Sequence, residues 1–340
     1  MRPALVALCV ALSTPVLAQD QVQLQMQVIN DVVENHVMPR YAALTETAET
    51  LDAAAQGNCD PRSEDLRAAY NDAFDAWISV SHLRFGPSET DDRAYALAFW
   101  PDPRGDTPSA LRGLIEAQDP VVGSQEGYAE VSIAARGFYP LEFLLYDEEF
   151  AALAPDLYHC ALVQAIARDI AANAAAIQFG WTTVYATLLQ SPGGTAAYRS
   201  AADVIQEFYS ALGAGLEFTS DSRLARPMGS FDDPKPARAE ARRSGRSLRH
   251  VQLSLAALSD LSARLAPSGS VAQDLEAAFG QAERLAAGLD DPIFEGVATP
   301  EGRFRVEALK TSVDRISALV DEERGPALGV AAGFNAADGD

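Results

Sequence analysis

The chain has 340 residues with 48 acidic and 26 basic side chains, a formal net charge of −22. That balance argues against a nucleic-acid or anionic-membrane binder, either of which needs a positive footprint. Hydrophobic residues at 48% sit at the globular average, so the sequence reads as neither a disordered tail nor a membrane-embedded bundle, and its length suits one large domain or two ordinary ones.

The N-terminus, MRPALVALCVALSTPVLAQD, sets Arg2 ahead of an apolar run from Ala4 to Leu12, then Ser13-Thr14-Pro15 and Val16-Leu17-Ala18. This is the pattern of a secretory signal peptide, residues 1–18, cleaved after Ala18. The run is too short for a bilayer core of ~30 Å. Leu8 before Cys9 argues against a lipid anchor, and no later segment reads as long and apolar enough to cross a membrane. The mature chain is therefore expected to be exported, with a charge one unit more negative. Export leaves Cys59 and Cys160, which in an oxidising compartment most simply form one disulfide, the alternative being two buried thiols.

Apolar residues then recur at spacings of three and four, the helical period. Val22, Met26, Ile29 and Val33 form one stripe; Tyr41, Leu44, Ala48 and Leu51 form the next, after Pro39. Ser63 is a candidate N-cap with Glu64 and Asp65 in the first turn, opening a helix that carries Leu66, Tyr70, Phe74 and Trp77. Further helices are expected over 156–189, 194–216, 237–265, 269–289 and 302–323. No window alternates with period two for long enough to argue a strand, so the fold class is all-α. Two stretches rich in Pro and Gly interrupt the pattern: a long irregular region from His82 to Gln125, of a length that is often functional, and Ser220 to Pro236, read as a crossover. The break at QSPGGT, residues 190–195, divides the mature chain into a helical bundle over 19–192 and a second over 193–340.

There is no HExxH, paired CxxC, GxSxG or phosphate-binding glycine loop, which removes most common hydrolases and nucleotide enzymes. The most unusual segment is Arg136-Gly137-Phe138-Tyr139-Pro140-Leu141-Glu142-Phe143-Leu144-Leu145. A carboxylate inside such an apolar run must be buried, paired or facing a cavity, because an unpaired buried carboxylate is costly, and Tyr139 shares its face of a helix. Candidate partners are His82 and Arg84 at the end of the third helix, Asp102 and Arg104 in the irregular region, and Arg246 or Arg243 from the basic run Lys235–Arg249. That run contains one acid, Glu240. The alternatives are structural ones: a helix-capping histidine, a loop brace between Asp102 and Arg104, and a solvated basic surface.

The segment GFYPLEFLL resembles the GxHxxE motif of the imelysin family, the peptidase M75-like proteins, with Tyr139 in the place of the motif's histidine. Trp77 with Phe85-Gly86-Pro87, the run Phe99-Trp100-Pro101-Asp102-Pro103-Arg104-Gly105, Ser244-Gly245-Arg246-Ser247-Leu248 and the C-terminal Leu328–Asp340 are also similar to family segments, in the same order. The resemblance covers about residue 28 to the end. It implies two packed helical bundles with the motif at their interface, export to the bacterial envelope, and links to iron uptake or to insulin-type peptide cleavage.

A phenol ligates well only when a hard cation such as ferric iron deprotonates it. The expected function is therefore a non-peptidase binding or accessory protein for iron or a metal chelate. Tyr139, Glu142 and His82 would be the metal ligands, and Arg84, Asp102, Arg104 and Arg246 would line the ligand site. Iron is then the cargo, and other envelope iron-uptake components are the expected partners. The alternatives are an anion- or solute-binding or structural module, in which Glu142 pairs with Arg246, and an M75-type metallopeptidase.

Overall fold

The structure, a computed structural model, describes residues 14–153, 156–194, 197–266 and 273–324. Most of the signal segment and the whole of Leu328–Asp340 lie outside the described residues. Among the described residues the secondary structure is helical, with no strand.

Helix α1 (Thr14–Val32) runs through a π-helical turn at Val33–Val37 into α2 (Met38–Gly57). Such a turn carries an extra residue and shifts the face presented beyond it; here His36 and Val37 end up fully buried. Ser63 caps α3 (Glu64–Ile78), its hydroxyl accepting from the Leu66 amide at 3.3 Å, and Leu66, Tyr70, Phe74 and Trp77 are buried along one face, as the spacing predicts.

The region from His82 to Gln125 is not one loop. It contains α4 (Asp106–Ala117), whose first amides are met by the Asp102 carboxylate: Asp106 N at 2.9 Å and Thr107 N at 2.8 Å. The longest irregular stretch that remains, Ala98–Gly105, holds a cis Trp100–Pro101 peptide. Then come α5 (Phe138–Tyr146) and α6 (Asp156–Gly180).

Helix α6 continues through a second π turn to Gln190, so that one helix spans Leu157–Gln190. By length and composition this helix is apolar enough to cross a membrane, contrary to the expectation for the chain after its N-terminus. Yet 56% of its most apolar window is buried inside the protein, the pattern of a core helix. A disulfide joins Cys59 to Cys160, Cα atoms 5.1 Å apart, fastening the end of α2 to α6; α2 lies between α3 and α6.

Helix α7 (Ala201–Glu217) starts later than the apolar pattern suggests, because Ser200 and Asp203 form a reciprocal capping box there. It does not end in a crossover. Helical structure persists through a π segment, Phe218–Ala225, and Arg226–Met228. The basic run, in contrast, is not a helix: positive φ angles at Ala241 and Gly245 interrupt it, and α8 begins only at Ser247 (Ser247–Arg264). With α9 (Gln273–Ala287) and α10 (Pro300–Leu319), α7 and α8 form the second bundle. Helix α1 packs against α7 and α8, and α3 meets α8 across the bundles.

Candidate ligand site at the bundle interface

Gly137 begins the unusual segment for a backbone reason. Its φ of +83° is reserved in practice for glycine, and a Cβ there would lie 2.2 Å from the Leu97 carbonyl oxygen. The close approach pins α5 against the irregular region. Pro140 does not disturb α5, because it sits in the first turn, where no intrahelical partner is lost. Phe138 stacks on Phe74 of α3 at 4.6 Å, which aims the neighbouring Tyr139 and Glu142 at the segment before α8.

Tyr139 is buried and its hydroxyl donates to Glu240 Oε1 at 2.6 Å. Arg223 Nε donates to Oε2 of the same carboxylate at 2.7 Å. His250 Nδ1 stands 3.1 Å from that oxygen, within ion-pair distance but too poorly aligned for a hydrogen bond. Burial alone would raise the Glu240 pKa; the Arg223 charge, with His250 and the Tyr139 bond, overrides it and holds the carboxyl down at about 2. Burial and the adjacent Glu240 charge push the Tyr139 phenol well above its ordinary range, so it stays protonated and donates.

Glu142, also buried, turns to a different partner. Its Oε1 accepts from the Ser244 amide at 2.8 Å and the Ser244 hydroxyl at 2.7 Å. Burial raises its pKa against those bonds and the pull of Arg243 and Arg242.

Neither expected arginine reaches Glu142. Arg246 pairs with Asp75 of α3, joined by Arg249 at 3.2 Å, and Arg243 pairs with Asp147 at 2.9 Å while lying over the Phe143 ring at 3.5 Å. Arg84 bonds Glu89 at 2.7 Å. Arg104 braces Asp106 at 3.1 Å rather than Asp102, which instead caps α4. The basic run thus stitches the two bundles together.

His82 is buried as well. Its Nε2 is 2.9 Å from His36 Nε2, and His36 Nδ1 is 2.8 Å from Asp260 Oδ2. His36 Nδ1–H donates to the carboxylate, so His36 Nε2 accepts and His82 Nε2 donates. Desolvation lowers both histidine pKa values, with Asp260 partly opposing at His36. Gly215 of α7 permits this arrangement: a Cβ there would stand 2.6 Å from Leu258 and 3.0 Å from His82 Cβ.

Two cavities meet at this interface. One, about 260 Å³, is lined by His82, Tyr139, Arg223 and Glu240 among Trp77, Trp100 and Phe218. The other, about 390 Å³, is lined by Tyr139, Glu142, Asp102 and Phe143. Tyr139 and Trp100 line both and form their common wall. His82 and Glu142 therefore open on different cavities, and the three expected metal ligands do not converge. Among the described residues no group of three or more His, Cys, Asp or Glu is placed to hold a metal ion. A protonated Tyr139 bound to Glu240 and a Glu142 bound to Ser244 do not fit the donor set of a divalent metal.

The interface depends on Glu240, Arg223, Ser244, His250, His36 and Asp260, none of them expected from sequence. Two of them left a signal: Glu240 as the single acid of a basic run, and Ser244 in a segment similar to the family's. Arg223 and His36 sit in π-helical turns, which periodicity does not reveal.

Residues 37–320 match the Peptidase_M75 family model, described as Imelysin. Iron-regulated protein A of Synechococcus elongatus (strain ATCC 33912 / PCC 7942 / FACHB-805) is 24% identical, the alignment covering 90% of this chain and 87% of that protein. Among solved structures, an imelysin-like protein from Psychrobacter arcticum 273-4 superposes with a TM-score of 0.77 at 21% identity, covering 97% of this chain and all of the other. A protein assigned as an iron-regulated protein A precursor from Parabacteroides distasonis ATCC 8503 gives a TM-score of 0.72 at 11% identity, covering 88% and 94%. At these identities the two structures share the fold.

Proposed function

Because the chain belongs to the imelysin family, we propose that it is an exported, periplasmic binding or accessory protein in iron handling, and not a peptidase. Its ligand, iron carried in a chelate, enters the cavities that flank Tyr139. The observation that carries this reading is the Tyr139–Glu240–Arg223 network: buried, mutually satisfied charged groups that wall two cavities between the bundles. Groups held so firmly suit recognition of a preformed molecule. A hydrolase would need a free base and a polarised water, and at the motif's histidine position this chain has a phenol that is donating its proton. The names of the relatives in Synechococcus and Parabacteroides, both iron-regulated protein A, supply the link to iron.

Elemental analysis of protein taken from its native periplasm, followed by calorimetric titration with ferric citrate, ferrous ion and zinc, tests the proposal. Iron above background and a ferric-chelate affinity weakened by Tyr139→Phe are expected. Chelator-sensitive cleavage of unfolded peptides, or chelate binding no tighter than that of Tyr139→Phe, would overturn it.

A further inference from the structure

Two arginines that line the larger cavity, Arg226 and Arg238, stand without an ion-pair partner among the described residues. Arg226, just beyond the π segment of α7, is part-buried along its wall, with its guanidinium over the Trp100 ring at 5.7 Å. Its Nε is buried without a hydrogen-bond partner. Arg238 lines the same cavity from an exposed position. Among the described residues neither arginine has a carboxylate within ion-pair distance.

The acids that line the cavity are already engaged, Asp102 with the amides of α4 and Glu142 with Ser244. The third arginine, Arg243, is balanced by Asp147. A second orphan polar atom belongs to a residue that lines the same cavity: the Thr107 hydroxyl, buried and without a partner. Buried donors left unpaired are costly, and two of them on residues that line one cavity, beside two arginines with no ion-pair partner, mark a place where an acceptor belongs. Burial, and then the like charge of Arg238, lower the Arg226 pKa.

We propose that this cavity is an anion subsite for a small polycarboxylate. One carboxylate lies in the planar fork of Arg226 and accepts from the Thr107 hydroxyl; another meets Arg238 at the rim. An arginine fork matches carboxylate bidentately. Charges placed at two depths favour a ligand with separated carboxylates over a compact oxyanion such as phosphate. The volume, about 390 Å³, falls in the range of small-molecule pockets. The inference rests on the reading of this interface as a ligand site. It does not depend on iron: the carboxylates belong either to a free acid or to the shell of a ferric chelate.

Calorimetry at low salt with citrate, ferric citrate and inorganic phosphate separates these cases. Arg226→Gln and Arg238→Glu are compared with wild type and with Arg62→Gln, a change at a remote exposed pair. Each cavity variant weakens citrate or ferric citrate binding by about tenfold or more, Arg62→Gln leaves it unchanged, and added salt weakens it. Arg238 is exposed, so Arg238→Glu keeps the test valid even if Arg226→Gln misfolds. Citrate binding that depends on the arginines without iron binding retains the subsite and removes iron from the function. Ferric citrate binding that ignores both substitutions retains iron and overturns the subsite. Phosphate bound more tightly than citrate, or no binding of either citrate form, also overturns it.

Discussion

Glu240→Gln is the substitution from which the interface network predicts the largest single effect. The change keeps the shape and one acceptor for Tyr139 but removes the negative charge facing Arg223, whose side chain is only 5% exposed. Two lines of reasoning converge on its magnitude. The Glu240 carboxyl is held at about 2 against an ordinary 4.5, and at 1.36 kcal/mol per pKa unit that is about 3 kcal/mol of native-state preference for the charged form. Removing one member of a buried ion pair costs about 3–5 kcal/mol, because the remaining charge is stranded.

The expected loss is therefore about 3–5 kcal/mol, or roughly 6–20 °C in Tm at 2–4 °C per kcal/mol. Urea unfolding followed by circular dichroism measures it. Because the folded pKa is depressed, this stabilisation is present above pH 4.5 and is lost as pH falls toward 2. The variant should lack that part of the wild type's acid instability. Glu240→Gln with Arg223→Met should recover much of the loss, since no stranded charge remains. A single variant within about 1 kcal/mol of wild type, with an unchanged acid limb, would refute the assignment of Glu240 and Arg223 as a coupled pair.

Two further outcomes follow from the same interface. Gly137→Ala should fail to accumulate as folded protein, since its Cβ would overlap the Leu97 carbonyl at a φ of +83°; the readout is soluble yield and near-ultraviolet circular dichroism, and a normally folded variant would count against this packing of α5. The buried histidines His36, His82 and His250 all have lowered pKa values, chiefly from desolvation, so their contribution is complete above pH 6.5 and is lost as pH falls below it. Stability should therefore drop by up to about 1.4 kcal/mol per pH unit for each histidine, and His82→Gln should flatten the slope of the urea midpoint between pH 6.5 and 5.

The all-α class, the stripe of Leu66, Tyr70, Phe74 and Trp77, the Ser63 cap and the Cys59–Cys160 bridge were legible in the sequence, because each follows from local spacing or from a count of two remaining thiols. The segment around Tyr139 and Glu142 was legible for the same reason: a carboxylate in an apolar run signals burial wherever the chain goes. What those side chains meet was not. Helix α4 went unread within a region rich in Pro and Gly, because its N-terminus is capped by Asp102 from outside its own first turn. The basic run passed for a helix because arginine and alanine favour one, while positive φ at Ala241 and Gly245 holds it irregular across the interface.

The sequence by itself determined that Glu142 and Tyr139 would be buried and that a basic run stood out against a net charge of −22. Only the tertiary structure decided that Glu240, the one acid in that run, would meet Tyr139 and Arg223, and that Arg246 would pair with Asp75. It also left Arg226 and Arg238 on one cavity with no ion-pair partner among the described residues. Partner choice between segments about 100 residues apart depends on how two bundles dock. No local period encodes that geometry, because the free energy of each pair depends on burial and on which opposite charges the docked bundles bring within reach.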